Sequence, residues 1–184
     1  MIIGLTGHSA CGKSMFCKIA AEQFDAQILS ASTLLRKILE ERGEPISRGT
    51  LQALGAKIHD TEGPTSIICS LLRKARESQL TVIDAVRYAE ELTWLAQRPD
   101  FVLVGLQTHL AMRLERIRSR NRDASESNLG VDDLRQQDKQ PTERDIPFLL
   151  SSASDIIVNN GTVAEFTEEV QSVLRHILKR HRVA

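Results

Sequence analysis

The sequence predicts an α/β domain in three layers, with a five-stranded parallel sheet between two layers of helices. Three observations lead there. Five short apolar runs, Met1–Thr6, Ala26–Leu29, Leu80–Asp84, Phe101–Leu106 and Asp155–Asn159, alternate with stretches of helical spacing. Strands separated by helices join through right-handed crossovers and make a parallel sheet covered on both faces. The first run leads into a glycine-bounded loop, Gly7-His8-Ser9-Ala10-Cys11-Gly12-Lys13-Ser14, and then into helix-forming residues. Finally, 184 residues with only 4% aromatic content suit one domain with an aliphatic core.

The elements follow in order. After the first strand and its loop, Lys13–Gln23 reads as a helix. Beyond the second strand, Ser30-Ala31-Ser32-Thr33 offers Ser32 or Thr33 as a cap for a helix to Arg42. Two further helices, Thr50–Asp60 and Thr65–Ser78, are set off by Gly43-Glu44-Pro45 and Glu62-Gly63-Pro64. Ala89–Gln97 and His109–Arg120 follow the third and fourth strands. The last helix, Val163–Arg180, carries Phe166, Val170, Val173, Leu174, Ile177 and Leu178 on one face. Two segments break the alternation, a helical insertion at about 32–78 and a polar, loop-rich stretch, Asn121–Pro147, whose first part (Asn121–Gly130) is the expected place for disorder.

The loop after the first strand carries the most specific chemistry. Gly-x-x-x-x-Gly-Lys-Ser is a phosphate-binding loop, and each fixed position has a physical task. Gly7 and Gly12 allow backbone angles that turn successive N–H groups around an anion. Lys13 supplies a mobile charge for β- and γ-phosphates, and the Ser14 hydroxyl can ligate Mg²⁺. Four fixed positions match by chance in about 3 × 10⁻⁵ of windows at ordinary residue frequencies. The loop therefore predicts a nucleoside triphosphate site formed by Gly7, His8, Ser9, Ala10, Cys11, Gly12, Lys13 and Ser14.

In an open parallel sheet, ligands bind beyond the carboxyl ends of the strands. Asp84 ends the third strand, placed to support Mg²⁺ or accept a proton, and Arg87 follows one turn later as a phosphate clamp. Arg36 is expected on the first turn of the helix after the second strand, aimed at the same cleft. Arg113, Arg116, Arg118, Arg120 and Arg122 crowd one helix and its exit, with Arg116 and Arg120 sharing a face. So dense a cluster suits a triphosphate whose charge must be stabilised during transfer. His8, His59 and His109 are expected to be structural and Trp94 to belong to the core. The tail Lys179-Arg180-His181-Arg182 reads as a solvated helix end.

Composition narrows the partners. Lys+Arg and Asp+Glu balance at 24 each, so no global field draws nucleic acid or a membrane surface. Three cysteines without metal-ligand spacing indicate reduced thiols, Cys11 being a small filler within the loop. No run approaches a membrane span and the beginning reads as a strand, so no targeting peptide is expected, and a cytoplasmic monomer or homodimer is. The chain lacks Asn-Lys-x-Asp for guanine selection and Leu-Ser-Gly-Gly of transporters, and it is short for a helicase.

Together these residues resemble the nucleoside monophosphate kinase group of P-loop proteins. The resemblance covers nearly the whole chain and is nearest to a small, largely archaeal adenylate-kinase-like family. Phage deoxynucleoside monophosphate kinases and dephospho-coenzyme A kinase are more distant. The resemblance implies a P-loop NTPase fold with an acceptor-binding insertion and a lid at about 121–147. Ser30 to Arg36 is similar to the segment that binds the acceptor's phosphate, implying that role for Arg36. Val82-Ile83-Asp84-Ala85-Val86-Arg87 is similar to an Asp-Gly-x-Arg signature, implying magnesium support by Asp84 and acceptor contact by Arg87. Leu114 to Arg120 is similar to the helix leading into the lid, implying donor-phosphate contact by Arg116 and Arg120. Ile157 to Thr162 is similar to the turn whose backbone, here Asn160 and Gly161, lies against adenine. Ala85 replaces the usual glycine, and Gln137 precedes Asp138 where a lid arginine is expected.

The activity so implied is transfer of the ATP γ-phosphate, with Mg²⁺, to a nucleoside or deoxynucleoside monophosphate. Lys13, Asp84, Arg116 and Arg120 would be catalytic. Arg36 and Arg87 would bind the acceptor, and Ser14 and Asp84 would hold the metal. A dephospho-coenzyme A or other small-metabolite kinase is the nearest alternative. A nucleotide-dependent switch or assembly ATPase with a protein or RNA partner is the alternative of another class.

Overall fold

The computed structural model describes residues 1–76, 79–120 and 127–183. Five strands form one sheet in the order β2-β3-β1-β4-β5, every neighbouring pair parallel. They are β1 (Ile2–Thr6), β2 (Gln27–Ser30), β3 (Thr81–Asp84), β4 (Phe101–Gln107) and β5 (Asp155–Val158). The central β1 is buried at every position, as expected of a strand covered on both faces.

Alternate side chains supply the two faces. Ile3 and Leu5 join Phe16, Ile19 and Val104 beneath α1 (Lys13–Phe24) and α10 (Val163–Val183), whose Phe166, Val170, Leu174 and Ile177 complete that layer. On the opposite face Ile2, Ile83, Val86 and Leu103 pack against α4 (Ser66–Leu72), α5 (Ala89–Leu95) and α9 (Ile146–Ser151). Gly4 faces this second layer, where an added Cβ would lie 2.8 Å from Val86 and 2.9 Å from Phe101. Trp94 is only partly buried there, packed against the core and not within it. Among the described residues no helix is long and apolar enough to cross a membrane.

The two interruptions of the alternation have small cores of their own. Between β2 and β3, α2 (Ala31–Arg42) and α3 (Arg48–Glu62) meet through Leu35, Leu39 and Leu54 before α4 returns the chain to the sheet. Between β4 and β5, α6 (Leu110–Arg120) packs through Leu114 and Ile117 on Leu134 of α7 (Val131–Gln137), followed by α8 (Pro141–Arg144) and α9.

Three local expectations need correction. Residues 131–147 are mostly helical, because Leu134, Ile146 and Leu149 bury completely and Pro141 and Pro147 sit in first helical turns, where proline is tolerated. Of the stretch Asn121–Gly130, where disorder is expected, 121–126, with Arg122, lie outside the described residues, while Leu129 and Gly130 are hydrogen-bonded to Arg118 and Asp133. The helix expected over Thr65–Ser78 ends at Leu72, and 77 and 78 also lie outside the described residues. Finally, Ser30 caps α2, accepting from the Thr33 N–H at 3.4 Å, in place of Ser32 or Thr33. That moves Arg36 from the first turn of the helix to the second.

Candidate active site at the carboxyl edge of the sheet

Strand register brings the sequence motifs together. Asp84 pairs in register with Leu5 on one side and Ser30 on the other, so the ends of β1, β3 and β2 lie side by side. The loop leaving β1 takes positive φ at Gly7 (141°), Ala10 (64°) and Gly12 (114°). A Cβ at Gly7 would sit 2.4 Å from the Leu106 carbonyl oxygen, and one at Gly12 2.4 Å from Asn159 Nδ2. Glycine is thus demanded twice, by conformation and by space. Gly12→Ala is expected to abolish nucleotide affinity measured by calorimetry, because Asn159 would have to move off the loop.

No side chain caps α1, which starts directly after the loop with Gly12 at its N-cap. The backbone N–H groups and the helix dipole there form an anion-binding end. The Lys13 ammonium donates to the carbonyls of Gly7 and of His8, the latter at 3.0 Å, and lies 3.5 Å from Cys11 Sγ. Cys11 is buried, the small filler expected.

The far side of the loop is tied to the sheet by groups the sequence did not single out for that work. Asn159, buried after β5, donates through Nδ2 to the Cys11 carbonyl at 3.0 Å. Thr108 Oγ1 donates to the same carbonyl at 3.2 Å. Arg116, expected to meet donor phosphate, donates to both the carbonyl and the side-chain oxygen of Asn159 at 3.1 Å. Asn160 Oδ1 accepts from the His109 N–H, bridging the ends of β4 and β5. A cavity of about 240 Å³ opens here, lined by His8, Thr108, His109, Arg113, Val158 and Asn160 among others. Gly161 is exposed just beyond it.

A second network crosses the cleft. Arg113 is 4% exposed; its Nε donates to the Ser9 carbonyl at 2.9 Å, and its two terminal nitrogens meet Asp138 at 2.9 and 2.6 Å. Such a bidentate charge-assisted pair orients as well as stabilises. His8 Nδ1 lies 3.1 Å from Glu143 and 3.5 Å from Asp138. Glu143 in turn accepts from Arg87 at 2.6 Å, and Arg87 also donates to the Thr142 carbonyl. Burial alone would raise the Glu143 carboxyl, but the His8 hydrogen bond and the charges of Arg87 and Lys13 hold it down at about 2. His8, Asp138 and Glu143 have the spacing of a metal-ligand set. Each carboxylate already faces a guanidinium, however, so a cation would meet a cluster that is neutral before it arrives.

The turn carrying Arg87 is held by Glu91, a buried carboxylate accepting from the N–H groups of Arg87 (2.8 Å) and Tyr88 (3.2 Å). Burial pushes its carboxyl up to about 7, against those two hydrogen bonds and the charge of Arg87. A carboxyl raised on folding stabilises the native state fully below its unfolded value, and that stabilisation is lost as pH rises through the folded value. Unfolding free energy of the wild type should therefore fall by up to about 3 kcal/mol between about pH 4.5 and 7. Glu91→Gln should lack this slope; denaturant titration across that range checks it.

Asp84 and Arg36 remain the simplest groups of the site. Asp84 is half-buried, and neither it nor the exposed Ser14 hydroxyl has a hydrogen-bond partner among the described residues. Two free hard oxygen donors suit Mg²⁺, which keeps water and substrate oxygens in its remaining positions. Arg36 is exposed on α2, also without a partner among the described residues. Ala85 takes φ 149°, a backbone conformation that favours glycine over an L side chain. Arg118 donates to the Leu129 carbonyl and belongs to the α6–α7 connection, while Arg120, half-buried, ends α6.

No family model matches the chain. It is 28% identical over 182 residues to the UPF0200 protein of Methanosarcina acetivorans, covering 97% of this chain and 96% of that one. The UPF0200 protein of Sulfurisphaera tokodaii is 23% identical over 177 residues, at 96% and 97% coverage. Among solved structures, shikimate kinase from Bacteroides thetaiotaomicron aligns with a TM-score of 0.64 at 14% identity, over 95% of this chain and 98% of that one. Dephospho-CoA kinase from Campylobacter jejuni gives 0.60 at 20% identity, over 98% of both. The chain has the fold of small P-loop kinases.

The sequence missed the carboxylates. Internal pairing of the arginine cluster was legible only as an alternative, with Glu115 or Asp132-Asp133 as partners. The structure pairs Arg113 with Asp138 and Arg87 with Glu143 instead, and neither these carboxylates nor Glu91 stands out in the sequence.

Proposed function

We propose that this protein is an ATP-dependent phosphotransferase that moves the γ-phosphate, with Mg²⁺, to a small phosphorylated acceptor, a nucleoside or deoxynucleoside monophosphate. One observation carries the reading. A single carboxylate, Glu143, touches both His8 of the phosphate loop (3.1 Å) and Arg87 beyond β3 (2.6 Å), so a donor-binding group and an acceptor-binding cation share one cleft. A nucleotide switch needs only the first of these.

In this reading the loop from Gly7 to Ser14 cradles the donor, and the cavity beside Thr108, His109 and Asn160 takes its base. Lys13 and Arg120 stabilise charge spreading over the transferred group, and Arg116 acts through Asn159 on the loop's shape. Mg²⁺, held by Ser14 with support from Asp84, would neutralise phosphate oxygens. Arg36 and Arg87 orient the acceptor for in-line attack. The free carboxylate of Asp84 favours one second reading: an acceptor hydroxyl, as in a dephospho-coenzyme A or other metabolite kinase, would need a base there.

The test is ADP release with ATP·Mg²⁺ against a panel of ribo- and deoxynucleoside monophosphates plus dephospho-coenzyme A. Acceptor-dependent turnover with KM for the acceptor raised at least about tenfold by Arg36→Ala supports the first reading, since a charged hydrogen bond contributes about 1.5–3 kcal/mol. Slow hydrolysis indifferent to every acceptor rejects it and favours a switch or assembly ATPase.

A further inference from the structure

The Glu143 carboxylate stands where a negative group is least expected in a phosphate site. It lies on α8, in the connection between β4 and β5, yet it is 3% exposed and reaches across to His8 and Arg87. Lys13 lies close enough to act on it electrostatically. These three groups, an imidazole and two cations, come from three separate places: the loop after β1, the first residue of α1, and the turn after β3. A phosphoryl group passing from a donor on the loop to an acceptor on Arg87 would need the same three.

We propose that Glu143 is an internal anion that holds the place of the transferring phosphate, and that substrates bind by displacing it. This rests on the nucleotide-site reading above. A general base is the obvious competing role, but a carboxylate stabilised as an ion by Arg87, Lys13 and the His8 hydrogen bond is a poor proton acceptor.

Two consequences follow from the geometry. First, the carboxylate is selective. A ligand that meets only the loop leaves Arg87 paired with Glu143, whereas one presenting negative oxygens to Lys13, His8 and Arg87 together compensates all three. Water, the unwanted acceptor, does not draw Arg87 away, so acceptor-independent hydrolysis is held back. Second, donor and acceptor become coupled. A donor on the loop takes His8 from Glu143 and an acceptor takes Arg87, so whichever ligand binds first weakens the hold of the carboxylate on the group the second must meet. The contact to the Thr142 carbonyl carries the same displacement into the backbone of α8.

The probe is inorganic tripolyphosphate, followed by calorimetry on the wild type and Glu143→Gln and by amide hydrogen exchange on the wild type. Tripolyphosphate should bind Glu143→Gln about tenfold tighter, the equivalent of one charged hydrogen bond no longer broken. In the wild type it should speed exchange of the amides of 141–151. A carboxylate that stays in place predicts unchanged exchange at 141–151, even though loss of its charge alone would tighten anion binding. Equal or weaker binding by a folded variant overturns the proposal. If the variant does not fold, the exchange experiment decides alone, and unchanged exchange at saturating tripolyphosphate overturns it. Failure of either protein to bind tripolyphosphate or ATP overturns the nucleotide-site reading, and this proposal with it.

Discussion

Lys13→Ala should lower the proposed acceptor-dependent turnover by about 10²–10³-fold, the usual effect of removing one preorganised charge aimed at developing negative oxygens. The ammonium is held over the concave side of the loop by the carbonyls of Gly7 and His8. Those contacts fix its position at the start of α1, so little reorganisation is needed when phosphate arrives. Its charge also reaches Glu143, so the alanine variant loses the counterweight to that carboxylate as well as the phosphate contact. Lys13→Arg should recover little, because the planar fork cannot reproduce a point charge in so tight a loop. Single-turnover rates with saturating ATP and acceptor measure the loss. A decrease below about tenfold would mean that the loop binds nucleotide without promoting transfer.

Arg113→Ala has the largest expected effect on stability. Its guanidinium, almost fully buried, satisfies the Ser9 carbonyl and both oxygens of Asp138. Removing one partner of a buried ion pair typically costs about 3–5 kcal/mol, because the other charge stays behind uncompensated. Asp138 keeps some solvent access, with a side chain 20% exposed, so a value near about 3 kcal/mol is expected. His8 Nδ1, 3.5 Å from Asp138, offers only partial compensation. Lysine should not rescue, since one ammonium cannot serve Ser9 and both carboxylate oxygens at once. Denaturant unfolding gives the energy. Nucleotide affinity of the folded variant then separates general destabilisation from loss of loop shape.

The contrast between these two residues shows what a one-dimensional pattern conveys. Lys13 is legible because its whole environment is local: two glycines, a preceding strand and a following helix lie within a dozen residues. Asp84 and Arg87 are legible for a similar reason, since a carboxylate at the end of an apolar run must emerge at the sheet's carboxyl edge. Arg113 was visible only as one of five arginines, with nothing to distinguish a buried clamp from its neighbours. Its partners lie 104 and 25 residues away. Arg116 shows the same limit: its place on the helix was right, but its side chain goes to Asn159, 43 residues on.

The opposite error occurred in the segment after α6. Polar composition suggested loop, and the helices there form because a few apolar side chains, Leu134, Ile146 and Leu149, bury completely against distant elements. Tertiary burial outweighed local polarity, as it commonly does for short helices that are marginal alone.

By itself, then, the sequence determined the layered α/β fold, the phosphate loop and the line of residues along the carboxyl edge. Periodicity and glycine spacing are local properties that the backbone must obey wherever the rest of the chain goes. Only the tertiary structure decided how the charges pair, because an ion pair depends on proximity in space and is indifferent to separation along the chain. That pairing gives Arg113 its hold on the loop and sets Glu143 among the cations of the cleft.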